Sequence, residues 1–246
     1  MRQIPLAIGP EPDISFASFV AGAAGGLNAA ALAHLRTLVL PGAPVYLWGP
    51  AGSGKTHLLR ALVRRTHEAG QQAGWLDATT PGAAAGAWAL QPGWSLVVVD
   101  RCEALDAEAQ HAAFALFEDA SAHGVQFAAA GRLPPVDLPL RDDLRTRLAW
   151  GHVFALEPLG EAETRAALRR EADRRGIFLS DEVMNYLLTR FPRDLAHLLG
   201  LLARLDDFSL ERSRHITVPL LRQMVEIDGT EVEPGAAAAT AEALAR

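Results

Sequence analysis

The 246-residue chain is poor in cysteine and in long apolar runs. Its single cysteine, Cys102, excludes an internal disulfide and favours a reducing compartment. No apolar run reaches the roughly 18 residues of a candidate membrane span. Residues 1–12 also lack the long apolar segment of a secretory signal. We therefore expect a cytoplasmic protein that has no membrane partner.

An excess of positive charge is absent as well. The formal net charge is −6 and the isoelectric point is near 5.7, which argues against a protein whose main task is to grip nucleic acid. The hydrophobic fraction of 50% and the charged fraction of 21% are those of a folded, soluble protein. The length suits one large domain or two small ones.

Lysine is the scarcest basic residue, because the 23 basic residues are all arginine except Lys55. We infer a coding bias that replaces lysine with arginine wherever the chemistry tolerates the change. A compact ammonium differs from a planar guanidinium when the group must fit inside a ring of phosphate oxygens. The surviving lysine therefore marks a position where arginine fails.

Short apolar segments alternate with helical patterns in the first part of the chain. Strands are predicted over 45–48, 73–78, 95–100, 125–131 and 152–159, which indicates an α/β fold with a parallel five-stranded sheet and helices on both faces. After Pro158 the sequence predicts helices only, over 161–176, 180–191, 192–208 and 217–227. We expect a flexible tail at 1–13, an α/β domain at 14–158, a helical domain at 159–228 and a tail at 229–246.

The segment GPAGSGKT, residues 49–56, lies between a predicted strand and a predicted helix. It matches G-x-x-x-x-G-K-[ST], a loop whose backbone N–H groups curl around phosphate oxygens at the positive end of a helix. Lys55 is expected to reach the outer phosphates, and the Thr56 hydroxyl to ligate Mg²⁺. The predicted nucleotide-binding residues of this segment are Gly49, Pro50, Gly52, Ser53, Gly54, Lys55, Thr56 and His57.

The apolar run 96–99 ends on Asp100, which we interpret as the acid that holds Mg²⁺ or water beside the nucleotide. An aspartate that caps the next segment is the simpler alternative. Enzymes that hydrolyse the nucleotide usually carry a second acid at the next position, where this chain has Arg101. Glu103 could reach in its place, although its spacing favours another direction. We therefore expect slow hydrolysis or none.

Arg193 follows Pro192 at the start of a predicted helix. A cation there opposes the helix dipole, and the placement makes sense if the side chain reaches toward a nucleotide phosphate. The alternative is a surface arginine that is compensated by Asp194.

Two further groups of arginines have competing interpretations. One of Arg141, Arg145 and Arg147 could act on a neighbouring subunit's phosphates as an arginine finger, or all three could form a solvated face paired with nearby aspartates. In the segment 161–176, glutamates lie four residues before two of the arginines. This spacing favours a solvated, ion-paired helix face over a DNA-binding one.

Five segments occur in the order FASFV, YLWGPAGSGKTHLL, LVVVDRCEAL, DLRTRLAWG and FPRDLAHLLGLLARLD. Together they resemble the AAA+ region of the bacterial initiator DnaA, and more closely the Hda-type regulatory inactivators of DnaA, from about Phe16 to Ile227. The resemblance implies a AAA+ nucleotide-binding domain followed by an all-helical lid, with ADP or ATP and Mg²⁺ as cofactors. Thr56 and Asp100 would hold the Mg²⁺.

The resemblance also implies roles by position. Arg147 matches the arginine finger that acts in trans on a partner, and Arg193 matches the lid arginine that senses the nucleotide. In this family the inactivator rides on the DNA polymerase III beta sliding clamp and stimulates hydrolysis by ATP-bound DnaA, which prevents re-initiation. The segment QIPLAI resembles the family's clamp-binding peptide, with plain disorder as the alternative; its contact residues would be Gln3, Ile4, Leu6 and Ile8.

The chain departs from the family after its fourth predicted strand, where Arg132 stands near the place of a polar sensor residue. Only a short tail follows Ile227, so we expect no sequence-specific DNA binding, while a homo-oligomer stays open. The alternative function is an autonomous AAA+ ATPase, a loader or motor that acts on nucleic acid or another replication protein. A third is an adaptor that anchors a different partner at the membrane or the origin.

Overall fold

The computed structural model describes residues 14–80, 88–192 and 194–227. The chain divides into two compact units, one ending at Pro158 and the other beginning at Leu159. The first unit is α/β and the second is helical throughout its described residues.

A single parallel sheet forms the first unit. Its strands are β1 (Val45–Trp48), β2 (Gln72–Leu76), β3 (Trp94–Val99), β4 (Gln126–Gly131) and β5 (His152–Ala155), in the spatial order β2-β3-β4-β1-β5. All four strand pairs are parallel, so the predicted five-stranded parallel sheet is confirmed. Because the carboxyl ends of all strands meet at one edge, the segments that follow β3, β4 and β1 are neighbours there.

Helices cover both faces of this sheet. They are α1 (Leu27–Thr37), α2 (Lys55–Glu68), α3 (Ala107–Ala122) and α4 (Asp142–Leu148), with 3₁₀ turns at Cys102–Ala104 and Pro135–Asp137. Successive side chains of a strand point to opposite faces of the sheet, so alternate residues of β1 pack in the two apolar cores on either side of it. Val45 and Leu47 pack in one core with residues of α1 and α2. Tyr46 packs in the other core with residues of α3 and α4.

The second unit consists of α5 (Glu161–Arg175), α6 (Asp181–Arg190), α7 (Leu195–Arg212) and α8 (Val218–Ile227), packed on one apolar core. Helix α7 begins later than the predicted residue 192, because the Asp194 carboxylate accepts the Ala196 N–H and caps the helix there. Its core face contains Leu198, Leu201, Leu202 and Leu205, with Leu195 and Leu199 partly buried against the same core.

Strand β5 ends at Ala155, earlier than the predicted residue 159. The backbone N–H and carbonyl of Glu157 pair with the side-chain amide of Asn28, at 2.9 Å each, so they are not available to extend the sheet. Among the described residues, no helix has both the length and the hydropathy that crossing a bilayer requires.

Candidate nucleotide-binding site

The loop between β1 and α2 has a backbone that only glycine can supply at several positions. Gly49, Gly52 and Gly54 have φ values of 150°, 75° and 90°. A Cβ on Gly54 would lie 2.6 Å from Cε2 of Phe19, and one on Gly49 would collide with the carbonyl of Leu156. The glycines therefore let the loop curl close to its neighbours.

The ammonium of Lys55 lies within the curl of this loop. Its Nζ donates to the carbonyl oxygens of Gly49 and Pro50, at 2.7 Å each, and to the hydroxyl of the buried Ser53 at 3.2 Å. These three oxygens surround the ammonium at the distances that phosphate oxygens would adopt. The residues of the loop thus fit a nucleotide phosphate.

Thr56 and Asp100 come together although they are distant in the sequence. The Thr56 hydroxyl donates to Oδ2 of Asp100 at 2.7 Å, and Oδ1 of Asp100 accepts the backbone N–H of Arg101 at 2.9 Å. Asp100 is only 3% exposed. A hydroxyl and a carboxylate in contact beside a phosphate-binding loop are the hard oxygen ligands that Mg²⁺ prefers, so these residues fit the metal.

Arg101 turns toward β2, which lies on the other side of β3 from β4 and β1. Its backbone is left-handed, with φ 55° and ψ 48°, and its Nη2 donates to Oδ2 of Asp77 at 2.9 Å. Burial raises the pKa of Asp77, but hydrogen bonds from Thr79 and Arg101 outweigh it and lower the pKa to about 2. Asp77 therefore stays ionised and holds the guanidinium at the end of β2.

Glu103 binds the turn that follows β4. Its carboxylate accepts the backbone N–H of Arg132 at 3.1 Å and lies 3.4 Å from Nε of the same arginine. The Tyr46 hydroxyl donates to the Leu133 carbonyl at 2.9 Å and fixes the same turn. Glu103 thus points toward Arg132. This agrees with the expectation from its spacing that it does not take the place of a second acid beside Asp100.

The aromatic segment before α1 packs against the start of α2, a contact that sequence reasoning missed. His57 Nε2 lies 2.9 Å from the Ser15 carbonyl oxygen and 3.3 Å from the Ser18 hydroxyl. The rings of Phe19 and His57 are 5.5 Å apart. The signal in the sequence was the pair of aromatic residues in FASFV, since Phe16 and Phe19 are half-buried against the core to which α2 contributes.

The three arginines of residues 141–147 fall into two groups. Arg141 pairs with Asp143 at 2.6 Å and Arg145 with Asp142 at 2.5 Å, as in the solvated-face interpretation. Arg147 instead pairs with a residue of another helix, Glu118 of α3, at 3.0 Å. Arg141 also contacts α3, because its backbone N–H donates to Gln110 at 3.0 Å and its guanidinium contacts His111. Of these three ion pairs, that of Arg147 joins two helices.

The arginines of α5 form ion pairs with acids of their own unit. Arg165 pairs with Glu161 at 3.6 Å, and Arg175 with Glu171 at 2.7 Å, which are the two predicted i, i+4 pairs. Arg169 also pairs, with Asp181 at 2.5 Å. The ion-paired helix face is therefore observed.

Several predicted residues lie outside the described part of the chain. They are Arg193, the residue assigned to nucleotide sensing, and the clamp-binding residues Gln3, Ile4, Leu6 and Ile8. Within residues 14–80, 88–192 and 194–227, no cluster of three or more His, Cys, Asp or Glu side chains could hold a metal ion. Cys102 is buried, and burial raises the pKa of its thiol.

Residues 161–225, which span α5 to α8, match a family model described as "Hda, lid domain". The helical unit is thus similar to an Hda-type lid domain. The expected AAA+ fold with a helical lid is thereby confirmed.

Three solved structures illustrate the similarity of fold. Domain III of the replication initiation protein DnaA from Thermotoga maritima shares 20% identity, with 91% of this chain and 98% of that chain covered and a TM-score of 0.70. AMPPCP-bound DnaA from Aquifex aeolicus shares 20%, covering 88% and 70%, with a TM-score of 0.62. The RuvB Holliday junction branch migration motor of Thermotoga maritima shares 21%, covering 82% and 66%, with a TM-score of 0.56.

Proposed function

We propose that this chain is a regulator of replication initiation that stimulates ATP hydrolysis by DnaA and so prevents re-initiation. The observation that carries the proposal is the match of residues 161–225 to the Hda lid domain, on a chain whose first unit has the fold of DnaA domain III. The regulator would bind ADP or ATP at its own loop and act on the nucleotide of a DnaA partner.

The proposed nucleotide site is the loop 49–56 with Asp100. A solved DnaA of similar fold carries AMPPCP, and the glycine loop with Lys55 has the geometry that phosphates need. Thr56 and Asp100 would hold a Mg²⁺ ion, which supplies positive charge to the phosphate oxygens when bound. Arg193 would add a lid contact to the nucleotide.

We expect slow turnover at the chain's own site because of the residues that follow Asp100. The next residue is Arg101, which pairs with Asp77, and the nearest following acid, Glu103, is paired with Arg132. With no free carboxylate at either position to accept a proton from water, the site is suited to holding a nucleotide rather than hydrolysing it.

Arg147 is the residue that we propose to act in trans. An arginine finger stabilises the charge that develops on a transferring phosphoryl group and contributes about 10³–10⁵-fold in rate. The Arg147 side chain is 34% exposed at the surface of α4, which leaves it accessible to a partner. Clamp docking through Gln3, Ile4, Leu6 and Ile8 would bring the chain to DNA-bound DnaA.

The proposal is tested by mixing the purified chain with the beta clamp, DNA and ATP-loaded DnaA, and measuring phosphate release. We expect the wild-type chain to accelerate hydrolysis and Arg147→Ala to abolish the acceleration. Arg145→Ala is the matched control, because it removes a neighbouring arginine of the same helix that is paired with Asp142. Equal acceleration by the Arg147 and Arg145 variants would refute the arginine-finger role.

An autonomous motor is the second candidate, and the similarity of fold to the RuvB motor is the observation in its favour. A motor would hydrolyse ATP at a substantial rate without DnaA. Phosphate release by the chain alone, with and without DNA, separates the two functions. The paired Arg101 and Glu103 favour the regulator.

A further inference from the structure

Arg147 is held within its own chain by an ion pair that joins two helices. Its Nε lies 3.0 Å from Oε1 of Glu118, and the two side chains are 34% and 47% exposed. Glu118 belongs to α3 and Arg147 to α4, so the pair depends on tertiary packing and not on the local sequence. The carboxylate partners of Arg141 and Arg145 lie within their own segment, although the Arg141 guanidinium also contacts His111 of α3.

A second contact fixes the same guanidinium. Its central carbon lies 5.0 Å from the ring centroid of Trp150, which is within the range of a cation–π interaction. Trp150 is 68% exposed, an unusual position for a large aromatic side chain. The guanidinium thus has one anionic and one aromatic partner at the surface, and both leave it reachable from solvent.

We propose that Glu118 is the resting counter-ion of Arg147 and must release it before Arg147 can contact a partner's phosphate. This inference rests on the proposed function, in which Arg147 acts in trans. A carboxylate 3.0 Å from the guanidinium cancels much of its charge and occupies one of its donors. A phosphate oxygen needs the same charge and the same N–H groups, so the two contacts compete.

The strength of this restraint is limited by its exposure. An ion pair between two partly exposed side chains favours the paired state by a factor of only about one to five. A partner whose binding needs the released state therefore meets an apparent affinity that is weaker by one plus this factor, about two- to sixfold. Glu118 acts as a positioning residue, since it contacts Arg147 and not the partner's nucleotide.

The experiment is a titration of ATP-loaded DnaA with the full chain in the presence of clamp and DNA. We expect Glu118→Gln to lower the half-maximal concentration for stimulated hydrolysis about two- to fivefold, while the maximal rate stays the same. Glu118→Asp keeps the carboxylate and should behave as wild type. Glu108→Gln makes the same change of charge at an exposed site in the first turn of α3 and should also behave as wild type.

A half-maximal concentration that is unchanged or higher in Glu118→Gln would overturn the inference. A lower concentration in Glu108→Gln as well would assign the effect to net charge and would also overturn it. If the wild-type chain does not stimulate DnaA at all, the proposed function is refuted, and so is the inference that rests on it.

A measurement without any partner keeps the two failures distinguishable. Phenylglyoxal modifies exposed guanidinium groups, and peptide mass spectrometry reports the rate at each arginine. In Glu118→Gln we expect the rate at Arg147 to rise about two- to fivefold, while the rate at Arg145, paired with Asp142, stays constant. Equal rates at Arg147 in wild type and variant would show that Glu118 does not restrain it, whatever DnaA does.

Discussion

Lys55 is the single lysine among the 23 lysine and arginine residues of this chain. Its Nζ is within 2.7 Å of two loop carbonyls, a space that suits a compact ammonium and not a planar guanidinium. We expect Lys55→Arg to weaken ADP binding at least about tenfold, because a charged hydrogen bond contributes about 1.5–3 kcal/mol. Titration with a fluorescent ADP analogue measures the change.

The control for this substitution is the reverse exchange at an exposed site of the same helix. Arg60 of α2 lies over the ring of Trp75 of β2. The substitution Arg60→Lys should leave the affinity for ADP within about twofold of wild type. Equal affinities for Lys55→Arg and wild type would show that the scarcity of lysine has no bearing on phosphate binding.

Asp77 gives a residue-scale prediction about pH. Its folded pKa of about 2 is below the ordinary value of 3.8, so its ionised form stabilises the fold above about pH 4 and this stabilisation is lost as the pH falls toward 2. At pH 7, Asp77→Asn should lower the free energy of unfolding by about 1–2 kcal/mol. The difference from wild type should shrink between pH 4 and pH 2, as measured by urea unfolding.

Asp142 supplies the comparison for Asp77. Its side chain is 89% exposed and pairs with Arg145 of the next helical turn, so Asp142→Asn should change the stability by less than about 0.5 kcal/mol at any pH. A constant gap between wild type and Asp77→Asn from pH 7 to pH 3 would contradict the assignment of the low pKa.

At the scale of elements, the sequence predicts what depends on neighbouring residues. The glycines of the loop 49–56, the apolar run of β3 and the helical pattern of α7 are local signals, and each is found in its expected element. The boundaries that were wrong depend on single side chains. Asp194 caps α7 late, and Asn28 captures the backbone of Glu157 and ends β5 early.

The contacts that could not be predicted join residues far apart in the sequence. Arg101 finds Asp77 because β2 lies beside β3, and Glu103 finds Arg132 because β4 lies on its other side. The order of the strands in the sheet, which brings these residues together, cannot be read from the positions of the charged residues in the sequence. The acid and base partners of the site are therefore consequences of topology, and they explain why the position after Asp100 tolerates an arginine.

Helix α7 offers a test of element stability. Gly200 lies in its interior, and a Cβ at that position would meet nothing within 4 Å. We expect Gly200→Ala to raise the free energy of unfolding by about 0.5–1 kcal/mol, since alanine loses less backbone entropy on forming a helix. Gly54→Ala is the contrasting change, because its φ of 90° and the ring of Phe19 predict destabilisation. Thermal or urea unfolding ranks the two variants, and the opposite order would contradict the geometry.

At the scale of the whole molecule, the proposal assigns three tasks to three separate parts of the chain. The segment that contains Gln3 and Leu6 would hold the clamp, the loop with Lys55 would hold the chain's own nucleotide, and Arg147 would reach the partner's nucleotide. Substitutions at sites that share no contacts usually act independently. Clamp binding and nucleotide binding should therefore each be lost without a change in the other, and stimulation should be lost without a change in either.

Three variants measured in three assays give this separation its test. The pair Gln3→Ala and Leu6→Ala should lose capture on clamp-loaded DNA and stimulate DnaA poorly, yet keep its affinity for ADP. Arg147→Ala should keep both binding properties and lose stimulation alone. Lys55→Arg should lose ADP and keep clamp capture, because the proposal assigns the two tasks to different residues. Loss of clamp capture in Lys55→Arg would instead show that the nucleotide controls docking. Nucleotide binding and clamp binding would then not be independent tasks.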